Sequence, residues 1–164
     1  MLKEGMNMFR NIRRIKNVIS EEEAIDLLKN EKRGVIAMNG DDGYPYAIPV
    51  NYYYDEESHK IYFHGSKRGY KVDALRNSDK VCFTVYGHEE FKDDWAPYLH
   101  SVVVFGTCHL VEDDTKTVEK VRQLANKYYP TSEEVEAEIK RDIKAVQLYE
   151  ISIQHLTGKQ IHEK

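Results

Sequence analysis

The sequence predicts an α+β fold, mainly β, in which an antiparallel barrel or sandwich is flanked by helices. Three observations predict it. Short runs of alternating or clustered apolar residues are joined by tight turns rich in Gly, Asp, Asn and Ser, as at residues 39–43 and 55–58. Helical periodicity occurs only at intervals between those runs. At 164 residues the chain suits one domain that buries about 70% of the surface its unfolded form exposes, so neither a cofactor nor a disulfide is needed for folding.

The first element is a helix. Ser20, Glu21, Glu22 and Glu23 form a capping box, Ile19 is placed to staple onto Ala24, and Ala24, Ile25, Leu27 and Leu28 make one apolar stripe ending near Asn30. Residues 34–38 are a strand, and 39–43 a hairpin connection into a second strand over 44–54. Pro45 and Pro49 lack the N–H that a ladder needs, so part of that strand lies at an edge or bulge. A turn at 55–58 leads to a third strand, 60–64. A loop and a short helix over 71–77 precede residues 80–86, where Val81, Phe83 and Val85 alternate with Cys82, Thr84 and Tyr86. A polar loop over 87–98, around Trp95 and Pro97, runs into a long strand from 101 to 111. Asp113 or Asp114 caps the next helix, whose Val118, Val121, Leu124 or Ala125, and Tyr128 share a face, and Pro130 closes it. Thr131 and Glu134 offer a second capping box, with Val135, Ile139 and Ile143 facing inward. A strand over 146–154 and a polar tail with Gly158 and Lys159 finish the chain. No repeat or linker interrupts it, so residues 1–164 read as one domain with an N-terminal extension over 1–17.

The most informative segment is 61–71. A β-type run ending at His64 breaks into a loop in which Gly65 and Gly69 let backbone N–H groups approach a ligand, while Ser66, Lys67, Arg68 and Lys71 supply donors for phosphate oxygens. Lys71 opens the short helix, where the backbone dipole also favours negative charge. The segment is not a P-loop: the glycine spacing is one residue short, and Val72 follows Lys71 where Ser or Thr would stand. The same residues also suit a solvated basic turn between strand and helix. His64 is open to two readings, a strand-end histidine satisfied by backbone, or a donor to a phosphate or to developing negative charge.

Composition narrows the classes. The formal charge of −4, from 24 basic and 28 acidic residues, argues against nucleic acid or an anionic membrane engaged by the whole surface, so any positive site is local. The basic stretch Arg10, Arg13, Arg14 and Lys16 leaves a nucleic-acid binder as the weakest alternative, without an RNP-like motif. No apolar stretch is long enough to span a bilayer and no signal-peptide core follows the basic residues, which reads as a cytoplasmic protein. Cys82 and Cys108 lie singly in strand-like runs, as buried reduced thiols, and the scattered histidines have no metal-ligand spacing, so no metal is expected. No nucleophile elbow or Cys/His pair is present. Twelve tyrosines against one tryptophan suit strands, interfaces and aromatic-ligand slots alike.

Several spaced motifs agree in order: Gly43-Tyr44-Pro45-Tyr46 with Pro49-Val50-Asn51-Tyr52, then Ile61-Tyr62-Phe63-His64-Gly65, Gly69-x-Lys71-x-Asp73-x-Leu75, Val81-Cys82-Phe83, and Tyr98-x-x-Ser101-Val102-x-Val104-x-Gly106. From about Arg13 to Lys159 this series resembles the FMN-binding split-barrel superfamily, and within it the pyridoxamine 5'-phosphate oxidase-related proteins of the 5-nitroimidazole-resistance (Nim) type. The resemblance implies a six-stranded split β-barrel that forms a homodimer with FMN at the subunit interface. It implies that Pro49, Val50, Asn51 and Tyr52 lie along the isoalloxazine ring, mainly through backbone groups. His64, Gly65, Ser66 and Lys71 take the phosphate and ribityl chain, with His64 beside the cofactor as the one catalytic candidate, and Ser101 stands where the oxidases carry a flavin-contacting glutamine. The oxidases' Arg-x-Val-Leu-Leu-Lys strand and their substrate-binding tail are missing, which argues against pyridoxamine phosphate as substrate.

The function expected from this reading is an FMN-dependent oxidoreductase that takes electrons from a small-molecule donor and passes them to a small acceptor, such as a nitroaromatic. No Rossmann fingerprint is present, so a nicotinamide donor would bind only transiently. The alternative is a non-catalytic flavin-binding or redox-sensing module, favoured by the lack of an obvious general acid or base beyond His64.

Overall fold

The computed structural model describes residues 8–92 and 94–162; residues 1–7 of the N-terminal extension lie outside it. Four helices, α1 (Glu21–Asn30), α2 (Tyr70–Asn77), α3 (Asp114–Asn126) and α4 (Ser132–Asp142), accompany seven strands. These are β1 (Arg33–Asn39), β2 (Pro45–Asn51), β3 (Tyr53–Asp55), β4 (Lys60–Ser66), β5 (Lys80–Glu90), β6 (Tyr98–Val111) and β7 (Val146–His162). They join in one antiparallel sheet of order β2-β1-β5-β6-β7-β4-β3.

β2 and β3 stand at opposite ends of that order, yet only Tyr52 separates them. Asn51 pairs with Arg33 of β1, whereas Tyr53 pairs with Tyr62 of β4, so the chain changes edges within one residue. Counted as one bent strand, β2 and β3 turn the seven-stranded sheet into the expected six-stranded split barrel. The split has a physical cause. β3 pairs with β4 only over Lys60, Ile61 and Tyr62, and beyond that point β4 pairs on one side alone, with β7. Pro45 and Pro49 accordingly sit on an edge strand, where a missing N–H costs little.

The change of edge leaves the backbone of Tyr52 without a strand partner, and Tyr128 supplies one. The Tyr128 hydroxyl accepts the Tyr52 N–H at 2.8 Å and lies 2.7 Å from the Tyr52 carbonyl and 2.5 Å from that of Lys32, with one proton to donate between them. The Tyr52 ring is fully buried, edge-on to Phe83 at 5.0 Å, and its hydroxyl donates to the Leu28 carbonyl at 2.7 Å. Lys127 completes the clasp, its ammonium 4.2 Å from the Tyr52 ring centre and donating to the Glu31 carbonyl; burial pulls its pKa down to about 8. Tyr128→Phe is expected to destabilise the fold by about 1–2 kcal/mol, because it orphans a half-buried N–H. Urea denaturation measures it, and an unchanged midpoint would refute the clasp.

Two apolar clusters flank β4. The barrel interior holds Ile36, Ile61, Phe63, Phe83, Val102 and Tyr149, closed at one end by Ala24, Leu27 and Leu28 of α1. Tyr62 faces the other way, into a smaller cluster with Val121, Ala125, Val135, Ile139 and Leu148 beneath α3 and α4. The α1 capping box forms as the spacing implies, with Ser20 N–H donating to Glu23 at 2.8 Å and Glu23 N–H to Ser20 Oγ at 3.1 Å.

The strands outrun their sequence patterns. β5 continues to Glu90, β6 begins at Tyr98, and β7 runs through the polar tail to His162. The tail pairs with β6 from Tyr98 to Phe105, so ladder hydrogen bonds hold residues whose side chains show no strand alternation. A register shift at Phe105 and Gly106 marks a bulge, and a Cβ at Gly106 would lie 2.2 Å from the Ser152 carbonyl. Cys108 is buried as expected, but Cys82 is only half-buried, because its side chain falls on the outer face of β5. Among the described residues no helix is long and apolar enough to cross a membrane.

Candidate functional site at the split of the barrel

The two predicted cofactor-binding segments meet at the split. Asn51, at the end of the β2 edge, and His64, Gly65 and Ser66, on the singly paired end of β4, line one cavity of about 610 Å³. Its apolar wall comes from Val121, Leu124 and Ala125 of α3 and Ile139 of α4, and Tyr128, Tyr129, Glu138 and Asp142 complete the rim. Two sheet edges that face a cavity offer backbone N–H and C=O groups to a ligand without breaking a ladder.

Alternation along β4 divides the predicted phosphate set between two faces. His64 and Ser66 share the Tyr62 face, toward α3 and α4, whereas Gly65 and Lys71 lie on the Phe63 face. The Lys71 ammonium stands 5.6 Å from the Phe63 ring centre and 4.9 Å from that of Tyr149. A Cβ on Gly65 would come within 2.6 Å of Lys71 Nζ, so glycine is what lets the ammonium lie against the strand. Burial pulls the Lys71 pKa down, only partly offset by the Cys108 thiol, and no carboxylate among the described residues reaches it. A half-buried cation without a counter-ion is a costly arrangement that a bound anion would relieve. The start of α2 points the same way: Gly69 occupies its N-cap at φ 126°, and no side chain caps the first-turn N–H groups. The Ser66 hydroxyl accepts from the Arg68 N–H at 3.3 Å, a bond local to the loop before that helix.

The His64 ring makes no hydrogen bond among the described residues. Water reaches its ring, yet the walls of the cavity surround it. Burial pushes its pKa below 6.5, the Lys71 charge adds to the depression, and Glu138 opposes both. A mainly neutral imidazole at neutral pH can both accept and donate a proton.

The other predicted residues lie apart from this cavity. Pro49 and Val50 sit on β2 opposite Val35 and Gly34, beside the split but outside the cavity lining. Tyr52 is fully buried, with both backbone groups engaged by Tyr128. Ser101 lies mid-sheet, between Tyr86 of β5 and Lys159 of β7, half-buried on the outer face. Trp95 is 70% exposed, and Tyr98 stacks on His162 at 3.9 Å. Sequence reasoning missed the cavity's helical wall. Val121, Leu124 and Ile139 follow a core-facing helical period, and nothing in that period distinguishes a residue that fills a core from one that lines a hollow.

Comparison with known proteins agrees with this architecture. No curated protein matches the chain in sequence. Among solved structures, a candidate 5-nitroimidazole antibiotic resistance protein of Bacteroides thetaiotaomicron superposes with a TM-score of 0.75 at 16% identity, covering 88% of this chain and 87% of that one. A conserved hypothetical protein of Mycobacterium tuberculosis gives 0.75 at 19% identity, over 91% and 89%. A FAD-binding protein of Mesorhizobium loti gives 0.67 at 20% identity, over 88% and 96%. At such identities these neighbours establish the shared fold. The family model for pyridoxamine 5'-phosphate oxidase matches residues 20–160, nearly the whole described chain, and on that match the chain belongs to the pyridoxamine 5'-phosphate oxidase family.

Proposed function

We propose that this chain binds FMN across a homodimer and acts as an FMN-dependent oxidoreductase on small acceptors, nitroaromatics included. The observation that carries the reading is the uncompensated Lys71 ammonium beside an uncapped helix start, at one end of a split whose two sheet edges face a cavity. Lys71, Arg68, the glycine backbone at Gly65 and the α2 N–H groups fit a phosphate monoester, and the β2 edge at Pro49, Val50 and Asn51 offers backbone groups to a flat heterocycle. Bound there, the flavin would supply two-electron transfer between a reduced donor and the acceptor. His64 is the residue in the cavity able to hand a proton to the acceptor or steady negative charge as it develops. Tyr52 would contribute by holding the β2 edge in place.

The homodimer is supported by the outer face of the barrel. Tyr86 is 72% and Phe105 40% exposed on neighbouring strands, with Cys82 and Ser101 on the same face. Ser101 would then meet a flavin held mainly by a second copy. The FAD-binding neighbour and the nitroimidazole-resistance neighbour support a flavin and a nitroaromatic acceptor respectively.

Purified protein is expected to be yellow and dimeric, to bleach with dithionite or a reduced nicotinamide, and to recover its colour when a nitroaromatic is added under anaerobic conditions. Bound FMN that reoxidises no faster than free FMN would leave a flavin-binding or sensing module without turnover. A dimer that stays colourless and takes up no FMN at micromolar concentrations would refute the proposal.

A further inference from the structure

The ladder between β1 and β2 stops where the barrel splits. Its last pair is Arg33 with Asn51, so the next pair in the same register would be Lys32 with Tyr52. A side-chain hydroxyl stands between those two backbones instead. The Tyr128 oxygen lies 2.8 Å from the Tyr52 nitrogen and 2.5 Å from the Lys32 carbonyl oxygen, with the Tyr52 carbonyl at 2.7 Å as the other acceptor for its one proton. The hydroxyl thus takes the place of a direct ladder bond and holds the two backbones one oxygen apart. Released from β1 there, the chain pairs Tyr53 with Tyr62 of β4. Tyr128 follows the last turn of α3, and it also lines the cavity that Asn51 and His64 line. One residue therefore holds the seam of the barrel and borders the site beside it.

We propose that Tyr128 is a positioning residue for the flavin ring: by bridging Lys32 and Tyr52 it fixes the end of the β2 edge, and Asn51 with it, at the separation from β4 that the ring needs. The inference rests on the flavin reading for its ligand. Little else fixes that end. β2 has β1 as its one ladder partner, and the exposed Asn51 side chain makes no hydrogen bond among the described residues. The Tyr52 ring is anchored by Phe83 and the Leu28 carbonyl, which leaves the orientation of its peptide groups to Tyr128. Without the hydroxyl, the Tyr52 N–H and the Lys32 carbonyl are free to pair directly, which lengthens the β1 ladder by one residue and draws Asn51 away from β4. A site built on two sheet edges is sensitive to their spacing, because backbone N–H and C=O groups cannot rotate to follow a ligand as side chains do. Tyr128 acts in this way on the ring end of the cofactor, whereas Lys71 acts on the phosphate.

The test titrates FMN and riboflavin, followed by flavin fluorescence, into the full chain as wild type, Tyr128→Phe and Val104→Ala. Phenylalanine keeps the ring beside the cavity and removes only the bridge. Val104 is buried in β6 and takes no part in the cavity lining, so its truncation lowers stability without touching the seam. Melting temperatures of both variants are measured alongside. Tyr128→Phe is expected to weaken FMN and riboflavin by the same factor, about tenfold, since an edge that samples two pairings presents the competent one only part of the time. Val104→Ala should bind both flavins as wild type does, because a native state that still outweighs the unfolded one keeps its own affinity. A loss confined to FMN would put the effect at the phosphate, and an equal loss in Val104→Ala would make it one of general stability; either result overturns the inference. Wild type that binds both flavins while Tyr128→Phe binds them equally well overturns this inference alone. Wild type that takes up neither flavin overturns the flavin reading, and this inference with it.

Discussion

Glu150→Gln is expected to lower the stability of the fold by up to about 3 kcal/mol at neutral pH, and the loss should fade in acid. Glu150 on β7 is 10% exposed at its side chain. Burial alone would raise its pKa, but Lys116 of α3, Lys60 of β4 and the Tyr62 hydroxyl all donate to its carboxylate and together bring it from 4.5 down to about 2. Lys60 lies at 2.6 Å and Tyr62 at 2.8 Å. A shift of that size corresponds to roughly 3 kcal/mol held by the ionised form. It is an upper bound, since the Lys60 and Lys116 side chains are 31% and 36% exposed and water screens them. A carboxyl with a depressed folded pKa stabilises above its unfolded value and ceases to do so as pH falls through the folded one. The wild-type advantage should therefore be complete above pH 4.5 and disappear toward pH 2. Denaturant melts at pH 7, 4 and 2.5 measure it, and a difference that stays constant across that range would mean the network contributes through packing. The network also ties α3 to β4, the two elements that form opposite walls of the cavity, and Lys120 adds a second tie to Asp55 at 3.0 Å. Loosening it should disturb ligand binding as well as stability.

Lys71→Ala is expected to weaken FMN about tenfold to a hundredfold, the loss of one charge-assisted hydrogen bond of roughly 1.5–3 kcal/mol. The control is riboflavin, which has no phosphate and should bind wild type and variant alike. The fold should hold, because the substitution removes a half-buried ammonium that has no carboxylate partner among the described residues. Two further readouts bear on the same residue. Since burial holds the Lys71 pKa below 10.5, FMN affinity should fall with rising pH before an ordinary lysine would lose its proton. His64, depressed first by burial and then by the Lys71 charge, should titrate closer to 6.5 in the variant, as its NMR signals would report. If FMN and riboflavin lose affinity equally in Lys71→Ala, the phosphate does not sit at this loop.

Much of this molecule was legible in local patterns. The capping box at Ser20 and Glu23 depends on residues three apart and forms where the spacing requires. Pro49 marked an edge strand because a missing N–H is a local fact with a topological consequence. The glycine and lysine content of 65–71 marked a candidate anion loop, and what the structure adds beside it is a start of α2 without a side-chain cap. Other features were out of reach. The tail over 155–162 is polar and shows no alternation, and only the neighbouring β6 makes it a strand. Tyr128 looked like one more apolar position on a helix, although its hydroxyl holds the backbone of a residue 76 positions away. His64 and Lys71 read as one phosphate set because the sequence shows their closeness along the chain but not the face of the strand that each takes.

Periodicity, caps and turn chemistry act over a few residues, so the sequence by itself determined the elements, their approximate order in an antiparallel sheet and the cationic loop. Closure of the sheet at Tyr52 and the hollow beneath α3 and α4 were decided only by the tertiary structure. Each of these depends on groups distant along the chain meeting in space. There, burial and neighbouring charge determine the cost of every polar atom, and a side chain's own identity does not.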